Sequence, residues 1–299
     1  MAMSRYNAIH HPETPLRSAL FVPGIQQRML EKASTSPADA IWVDLEDSVP
    51  PQEKDTARGL VARALPALID KAVYVRVNAL ASGETLEDLE AVVRPGLNGI
   101  VLPKTESAED VHILDYLLLL VEQRNGVPAG ETTVITTIEG VDGIAECRSI
   151  FRASPRVSGA LVGIAQDGDT QRELGYQWTP EGTETLYMRS RLLMEGRAAR
   201  LSHLIEGPYV RHLDDEGLRR DAGLGRQLGY TGKAAIHPRQ VEMINDVFSA
   251  TAAELDYYRE LVTAMEAAYE SGLAAISFHG KLVDTAMLDH ARQVLARAR

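Results

Sequence analysis

Cysteine is almost absent from this sequence of 299 residues, in which Cys147 is the single example. One cysteine excludes an intrachain disulfide framework and any metal site built from several thiolates, and it suits a reducing compartment. The opening stretch MAMSRYNAIHHPETP lacks the apolar segment of a secretory signal. We therefore expect a cytoplasmic protein.

A surplus of basic charge is missing as well, and so is any long apolar run. The 31 Lys and Arg face 42 Asp and Glu, which gives a formal net charge of -11. Non-specific nucleic-acid binding needs a basic face that displaces counterions, so we expect no nucleic-acid partner. The run YLLLLV at 116–121 is far too short to span a bilayer, so we expect no membrane partner. Small anions remain possible ligands, because a few local cations and backbone amides can hold them.

What the sequence does contain is a regular alternation of short β-rich runs and longer segments with helical periodicity. Eight such runs end in polar residues, at 18–24, 40–47, 72–78, 99–104, 132–139, 157–164, 201–207 and 232–238. Eight strand–helix units predict the α/β class and a (β/α)8 barrel. A doubly wound open sheet is the weaker alternative, because its first turn is glycine-rich and FVPGIQQR has one glycine.

The glycine-rich stretch GLGRQLG at 223–229 lies inside a helical segment, so we interpret it as helix packing or a C-terminal stop. Ser107 with Asp110 three residues later resembles the cap at a helix start. The helix predicted at 239–248 completes a barrel domain at 1–248.

Residues 249–299 do not fit the repeat and predict a C-terminal helical extension. A long amphipathic segment at 249–272 is followed by LAAISFHGKLVD and by a last helix at 285–299. Such an extension must bury its apolar face on its own barrel or on a neighbouring subunit. We favour the neighbouring subunit and expect a homo-oligomer.

Ionisable residues gather at the predicted strand ends, where barrels of this kind place their active sites. They are Asp44, Glu46, Asp47, Arg76, Asn78, Lys104, Glu139, Asp167, Asp169 and His237. One carboxylate after a strand is more often a helix cap or a surface charge. Several of them converging on one barrel mouth predict a functional site, in which we count Glu46 among the catalytic candidates.

Two of these groups suggest specific chemistry. Glu139 with Asp167 or Asp169 is a carboxylate set that suits Mg2+, while the lack of His or Cys at ligand spacing counts against zinc. Arg76 lies in a β-rich run, where an unpaired guanidinium is costly to bury. It suits a substrate carboxylate or a developing oxyanion, with a structural ion pair to Glu46 or Asp47 as the alternative.

The strand-end motifs resemble those of the citrate lyase β-subunit-like proteins, within the HpcH/HpaI aldolase superfamily. The resemblance extends over nearly the full length. Its motifs are RSALFVPG (17–24), DLEDSVPPQEKDTAR (44–58), VRVN (75–78), VLPKTES (101–107), TTIEG (136–140), GYTGKAAIHPRQVEMINDVF (229–248) and GKLVD (280–284).

The resemblance implies a Mg2+-dependent barrel enzyme that cleaves a carbon–carbon bond in a 3-hydroxyacyl-CoA-type thioester. Malyl-, citramalyl- and citryl-CoA are such substrates, and the products are an acyl-CoA and a keto acid. Two alternatives stay open on the same scaffold. One is a malyl-CoA thioesterase, and the other is the β-subunit of a multi-chain citrate lyase complex.

The resemblance also implies roles for individual residues. Glu139 and the aspartate after the sixth strand hold Mg2+, and Arg76 contacts substrate oxygens and steadies the enolate. Asp284 in GKLVD is similar to a catalytic acid/base residue that an adjacent subunit donates, which implies a trimer or a hexamer.

The segments LFVPG and LPK resemble those that line the approach of CoA and substrate. They make Phe21, Pro103 and Lys104 candidates for substrate binding, beside Arg76 and Glu139.

The sequence departs from the family pattern at the expected metal ligand. That pattern is a glycine, two residues, the aspartate, five residues and a glycine, and the stretch from Gly163 to Gly175 is about three residues longer. Counting back from Gly175 selects Asp169, whereas counting forward from Gly163 reaches Gln166, beside Asp167. We favour Asp169, with Asp167 as the alternative, and expect the insertion to affect coordination or substrate choice.

Overall fold

The structure, a computed structural model, describes residues 16–68 and 70–297. The opening stretch, in which we expect no secretory signal, lies outside the described residues, as do the last two residues of the final predicted helix. None of the described helices combines the length and the apolar composition that crossing a membrane would require.

Eight parallel strands close into a barrel in sequence order, which confirms the predicted (β/α)8 architecture. The strands are β1 (Ser18–Pro23), β2 (Ala40–Asp44), β3 (Ala72–Arg76), β4 (Gly99–Leu102), β5 (Thr133–Ile138), β6 (Val157–Val162), β7 (His203–Glu206) and β8 (Gly232–Ala235). Each predicted run extends one to three residues beyond its strand. At the carboxyl edge of the barrel, the residues that leave the ladder include the polar Glu46, Asp47, Asn78, Lys104, Glu139 and His237.

Nine helices are described before Phe248 ends the barrel. They are α1 (Gln27–Ala33), α2 (Lys54–Ala64), α3 (Thr85–Val92), α4 (Ala108–Asn125), α5 (Val141–Ile150), α6 (Asp169–Leu174), α7 (Leu186–Ala198), α8 (Asp215–Leu228) and α9 (Arg239–Phe248). Short 3-10 turns cover Pro51–Glu53, Leu65–Ala67, Leu80–Ser82 and Thr183–Thr185.

Two local predictions about helix ends are confirmed. Ser107 Oγ accepts from the Asp110 backbone at 3.3 Å and the Asp110 carboxylate accepts from the Ser107 backbone at 2.9 Å, a reciprocal capping box. The stretch GLGRQLG forms the end of α8, which stops at Gly229 with φ 109°. Within it, any side chain at Gly225 would collide with the buried carboxylate of Glu206.

The barrel interior is closed by an apolar layer beneath the carboxyl edge. Trp42 is fully buried there and meets Phe21 at 5.3 Å and Tyr74 at 6.2 Å between ring centroids. Because side chains alternate along a strand, residues two positions apart point to the same side of the sheet. Asp44 lies two positions after Trp42, and Arg76 lies two positions after Tyr74. The ion pair of these two residues therefore lies directly above the apolar layer, toward the carboxyl edge.

A second compact unit begins at Ser249. It contains α10 (Ala252–Glu270), the antiparallel hairpin β9 (Ala275–Phe278) and β10 (Lys281–Asp284), and α11 (Thr285–Arg297). Its own core is formed by Leu261, Met265, Val283, Leu288 and Ala291. The hairpin was not predicted, since its strands are short and its turn, His279–Gly280 with φ 48° and 76°, uses a histidine where asparagine or aspartate is usual.

Candidate active site

Arg76 and Asp44 form a bidentate ion pair at the ends of β3 and β2, where the strand register sets them opposite each other. Arg76 Nε donates to Asp44 Oδ1 at 2.7 Å and Nη2 donates to Oδ2 at 2.8 Å. The backbone amides of Glu46 and Ser48 donate to the same carboxylate at 2.9 and 3.1 Å. Burial opposes the charge of Asp44, but the bonds from Arg76 and these amides hold its pKa below the usual value. Asp44 therefore stays an anion and fixes the guanidinium.

The rest of the Arg76 side chain meets three further groups. Its Nη1 lies 3.2 Å from Glu46 Oε2 and 3.4 Å from Asp47 Oδ2, and its guanidinium carbon lies 4.9 Å from the ring centre of Phe21. The structural ion pairs that we held as the alternative for Arg76 are therefore present. Its main partner, Asp44, was missed as a partner, because only strand register brings the two together.

Glu46 is a buried carboxyl between two cations. Its Oε2 contacts Arg76, and its Oε1 lies 3.1 Å from Lys104 Nζ. Burial nevertheless raises the pKa of Glu46 above its usual value, with the charge of Asp47 adding to the effect. A carboxyl of this kind in a site is a candidate for proton transfer.

Lys104 joins β4 to β5 through its backbone. Its N–H donates to Glu139 Oε1 at 2.9 Å, and its φ of 48° lies in the left-handed region, at a cost of about 1–3 kcal/mol for a residue other than glycine. Pro103 precedes it and is buried. The turn after β4 is thus held in a strained form that points an amide at the carboxylate of Glu139.

The carboxyl of Glu139, at the end of β5, has a pKa raised to about 7. Burial is the main cause, and the charges of Glu46 and Asp169 add to it, while the Lys104 amide and Arg76 oppose it. Carboxylates that repel one another in a buried place favour either a proton or a cation among them.

The two aspartates after β6 occupy different surroundings. Asp169 is the first residue of α6, pairs through Oδ1 with Arg172 Nη2 at 2.8 Å, and lines the same cleft as Glu139. Asp167 is exposed with φ 60°, lies outside the lining of that cleft, and donates its N–H to Gln171 Oε1 at 2.8 Å. Asp169 is therefore the aspartate whose charge reaches Glu139.

The cleft at this mouth has a volume of about 820 Å3. It is lined by Asp47, Lys104, Glu106, Glu139, Gly140, Asp169, Arg172 and Glu173. Sequence reasoning missed Glu106 and Gly140, which follow predicted strands by one or two residues, and Arg172 and Glu173, which lie further on in α6. Five carboxylates against two cations make the lining acidic, so an anionic ligand needs added positive charge to bind here.

The residues present fit a hard divalent cation. Glu139 and Asp169 could supply carboxylate oxygens, and a cation bound by both would relieve their mutual repulsion. Within 16–68 and 70–297, no three His, Cys, Asp or Glu side chains come together as a complete metal cage. That arrangement agrees with Mg2+, which often takes one or two carboxylates and leaves other positions to water and substrate oxygens.

A model of the HpcH/HpaI aldolase/citrate lyase family matches residues 17–238, which run from the start of β1 to just past β8. The chain belongs to this family. The citrate lyase subunit beta of Escherichia coli K12 is 40% identical over 284 residues, covering 94% of this chain and 93% of that protein. A (3S)-malyl-CoA thioesterase of Cereibacter sphaeroides is 34% identical over 294 residues, covering 96% of each. The family resemblance drawn from the strand-end motifs is thus confirmed, and the chain's relatives include a lyase subunit and a thioesterase.

Among solved structures, the chain is similar to the CitE protein of Mycobacterium tuberculosis in complex with magnesium, acetoacetate and coenzyme A. The TM-score is 0.77 at 26% identity, and the match covers 96% of this chain and 99% of the other.

Besides Asp167, the lining of the cleft leaves out the predicted residues Phe21, Asp44, Glu46, Arg76, Asn78, Pro103 and His237. Asn78 is buried and donates through its backbone and its amide to Asp88, each at 2.7 Å, so its role is structural. His237 is exposed and stacks on His212 with ring centroids 5.2 Å apart. Asp284 ends β10 in the C-terminal unit, where its Oδ1 accepts from the Ala286 amide at 3.0 Å. Its acid/base role stays a prediction.

Proposed function

We propose that the chain is a Mg2+-dependent lyase that cleaves a 3-hydroxyacyl-CoA-type thioester into an acyl-CoA and a keto acid. The observation that carries this proposal is the position of Glu139. Its partly buried carboxyl interacts with the charge of Asp169 and with the opposite charge of Arg76, so the proposed cation-binding pair lies near a fixed guanidinium. A malyl-, citramalyl- or citryl-CoA substrate presents the oxygens that such a site can hold.

In this proposal Glu139 and Asp169 hold Mg2+, with Asp167 as the alternative to Asp169. When bound, Mg2+ would supply positive charge for the oxygens of the keto-acid half and would lower the cost of an alkoxide. The carboxylate pair contributes orientation, because Glu139 is itself fixed by the amide of Lys104.

Cleavage removes the proton of the 3-hydroxyl, turns that carbon into the keto group, and leaves the electron pair of the broken carbon–carbon bond as an enolate on the acyl-CoA half. Arg76, aimed by Asp44, stabilises the enolate oxygen. Asp284 from a neighbouring copy takes the hydroxyl proton, and Glu46 is the second candidate for proton transfer because burial raises its pKa. Return of that proton to the enolate carbon completes the acyl-CoA product and restores the carboxylate.

Phe21, Pro103 and Lys104 are proposed to line the approach of the thioester. Phe21 packs against the guanidinium of Arg76, and Lys104 offers a half-exposed ammonium at the cleft wall. We further propose a homo-oligomer, a trimer or a hexamer, that works in the cytoplasm without a nucleic-acid or membrane partner.

The lyase proposal is tested with a panel of CoA thioesters, read by keto-acid formation. We expect keto acid with Mg2+, none after EDTA, and recovery when Mg2+ is restored. Glu139→Gln should lower kcat/KM by about a hundredfold or more, because the metal loses a charged ligand. Glu87→Gln on the exposed side of α3 is the matched control and should behave as the unmodified chain. Full activity in Glu139→Gln would refute the metal assignment.

Two alternatives draw support from the names of the relatives. The 34% identical relative named (3S)-malyl-CoA thioesterase favours hydrolysis, which would release free malate and CoA without a keto acid. The 40% identical relative named citrate lyase subunit beta favours a subunit of a larger complex. A chain that is monomeric by native mass spectrometry and inactive on every free CoA thioester would point to that subunit role.

A further inference from the structure

Arg172 is the one cation lining the cleft whose ionic partner, among the described residues, is a proposed metal ligand. Arg76 is held by Asp44 in two hydrogen bonds, and Lys104 contacts the buried Glu46 at 3.1 Å. The side chain of Arg172 is 77% exposed, and within the described part of the chain its one ion pair is with Asp169, at 2.8 Å. Arg76 and Lys104 thus neutralise buried carboxylates. Arg172, at the cleft wall, makes an exposed ion pair, and such pairs contribute little to stability.

The pair between Arg172 and Asp169 competes with the proposed metal site. A small divalent cation binds carboxylate oxygen at short range, whereas an exposed ion pair contributes little. Once a cation engages Asp169, Arg172 loses the attraction that holds it there. It nevertheless stays on the same face of α6, because residues three apart in a helix are neighbours. A freed guanidinium then faces the cleft beside the metal position.

We propose that Arg172 recognises a second carboxylate on the keto-acid half of the substrate. The inference rests on the proposed lyase function and narrows its substrate class to thioesters that release a 2-keto acid with a further carboxylate. Oxaloacetate is such an acid, and pyruvate is the same molecule without that carboxylate. The guanidinium binds a carboxylate through two parallel N–H groups, which supplies geometry as well as charge.

The charges around Arg172 make this role necessary for a dicarboxylate. Glu106 and Glu173 line the same cleft, and each adds a negative charge that repels a second substrate carboxylate. Without Arg172, a bound dicarboxylate would leave that group beside these two acids with no cation of its own. A monocarboxylic keto acid places no charge there, so its binding does not depend on Arg172.

The experiment measures binding directly, by calorimetry on the full chain loaded with Mg2+. Arg172→Gln should weaken the binding of oxaloacetate roughly ten- to a hundredfold, which is the usual contribution of a hydrogen-bonded ion pair. The affinity for pyruvate should change by less than about threefold. The affinity of Arg172→Lys for oxaloacetate should lie between those of the unmodified chain and Arg172→Gln, because lysine keeps the charge but lacks the two parallel N–H donors of the guanidinium. Arg148→Gln removes an exposed arginine of α5, outside the cleft lining, and should change neither affinity. A Mg2+ titration without keto acid should show equal or tighter binding in Arg172→Gln.

Three outcomes would overturn the inference. Arg172→Gln could weaken the binding of both keto acids by the same factor, leave the binding of oxaloacetate unchanged, or weaken the binding of coenzyme A instead. In each of these the unmodified chain still binds a keto acid with Mg2+, so the lyase proposal survives. Failure of the unmodified, Mg2+-loaded chain to bind either acid would overturn the lyase proposal and this inference together.

Discussion

At the scale of single residues, the barrel mouth is organised by charges that hold other charges in place. Asp44 does not line the cleft, yet it fixes Arg76 through two hydrogen bonds and is itself fixed by two backbone amides. Breaking one partner of such a buried pair leaves the other charge without compensation. Asp44 is therefore a positioning residue, whose loss should misplace the guanidinium rather than remove it.

Asp44→Asn tests this positioning role. The amide keeps the shape but loses the charge and one acceptor, so Arg76 is left to Glu46 and Asp47. We expect kcat to fall by about a hundredfold, since a misplaced catalytic group costs that much, with Mg2+ affinity unchanged. The steady-state assay is paired with a Mg2+ titration and a urea unfolding curve, to separate misplacement from unfolding. Asp47→Asn is the control, because Asp47 is 63% exposed and lies 3.4 Å from Arg76. A normal kcat in Asp44→Asn would contradict the positioning role of Asp44.

At the scale of elements, α4 is anchored at both ends by polar groups. Ser107 and Asp110 cap its start, and near its end Glu122 is fully buried and accepts from Arg156 through Nη1 at 2.6 Å and Nη2 at 2.7 Å. The backbone amides of Gly130 and Thr132 complete the shell at 2.8 and 2.9 Å. This carboxylate ties the end of α4 to the chain that enters β5 and β6.

Glu122→Gln should destabilise the fold by about 3 kcal/mol at pH 7, because it removes the fully buried counter-charge of Arg156 and leaves that guanidinium to the partly exposed Asp115. Burial opposes the charge of Glu122, but Arg156 and the two amides hold its pKa below the usual value. The folded form thus releases this proton more readily than the unfolded one. The stabilisation is complete above the unfolded pKa of about 4.3, and it disappears as the pH falls through the lower folded pKa.

Urea unfolding at pH 7, 5 and 3.5 measures this dependence. The difference between the unmodified chain and Glu122→Gln should be constant from pH 7 to 5 and should shrink at pH 3.5. Glu109→Gln, in the exposed first turn of the same helix, should cost under about 1 kcal/mol. A difference that persists unchanged into acid would contradict the pKa assignment.

The elements were also where the sequence was most and least informative. The strands could be predicted because each is a buried run bounded by polar residues, and α4 because its cap is local. The pairing of Arg76 with Asp44 could not be predicted, because the register of β2 against β3 is set only when the barrel closes. The hairpin β9–β10 was missed because its alternation is weak and its turn is atypical.

At the scale of the whole molecule, the proposed chemistry draws on both compact units. Glu46, Arg76, Glu139 and Asp169 belong to the barrel, and Asp284 belongs to the unit that begins at Ser249. The sequence carries the residue types and their motifs, but nothing in it states which barrel an Asp284 serves. Subunit arrangement is a property of surfaces, and it needs an experiment on the assembled protein.

Complementation between two defective chains tests whether Asp284 acts on a neighbour. Glu139→Gln removes the proposed metal ligand from the barrel of its own chain, and Asp284→Asn removes the proposed acid/base residue. Each variant alone should therefore be nearly inactive. In mixed oligomers from co-expression at equal amounts, a site has an intact barrel half of the time and an intact donor half of the time. About a quarter of the unmodified activity should then return if the donor is a neighbour. If Asp284 serves its own barrel, every site keeps one defect and no activity returns, whereas a fully active Asp284→Asn would exclude its catalytic role.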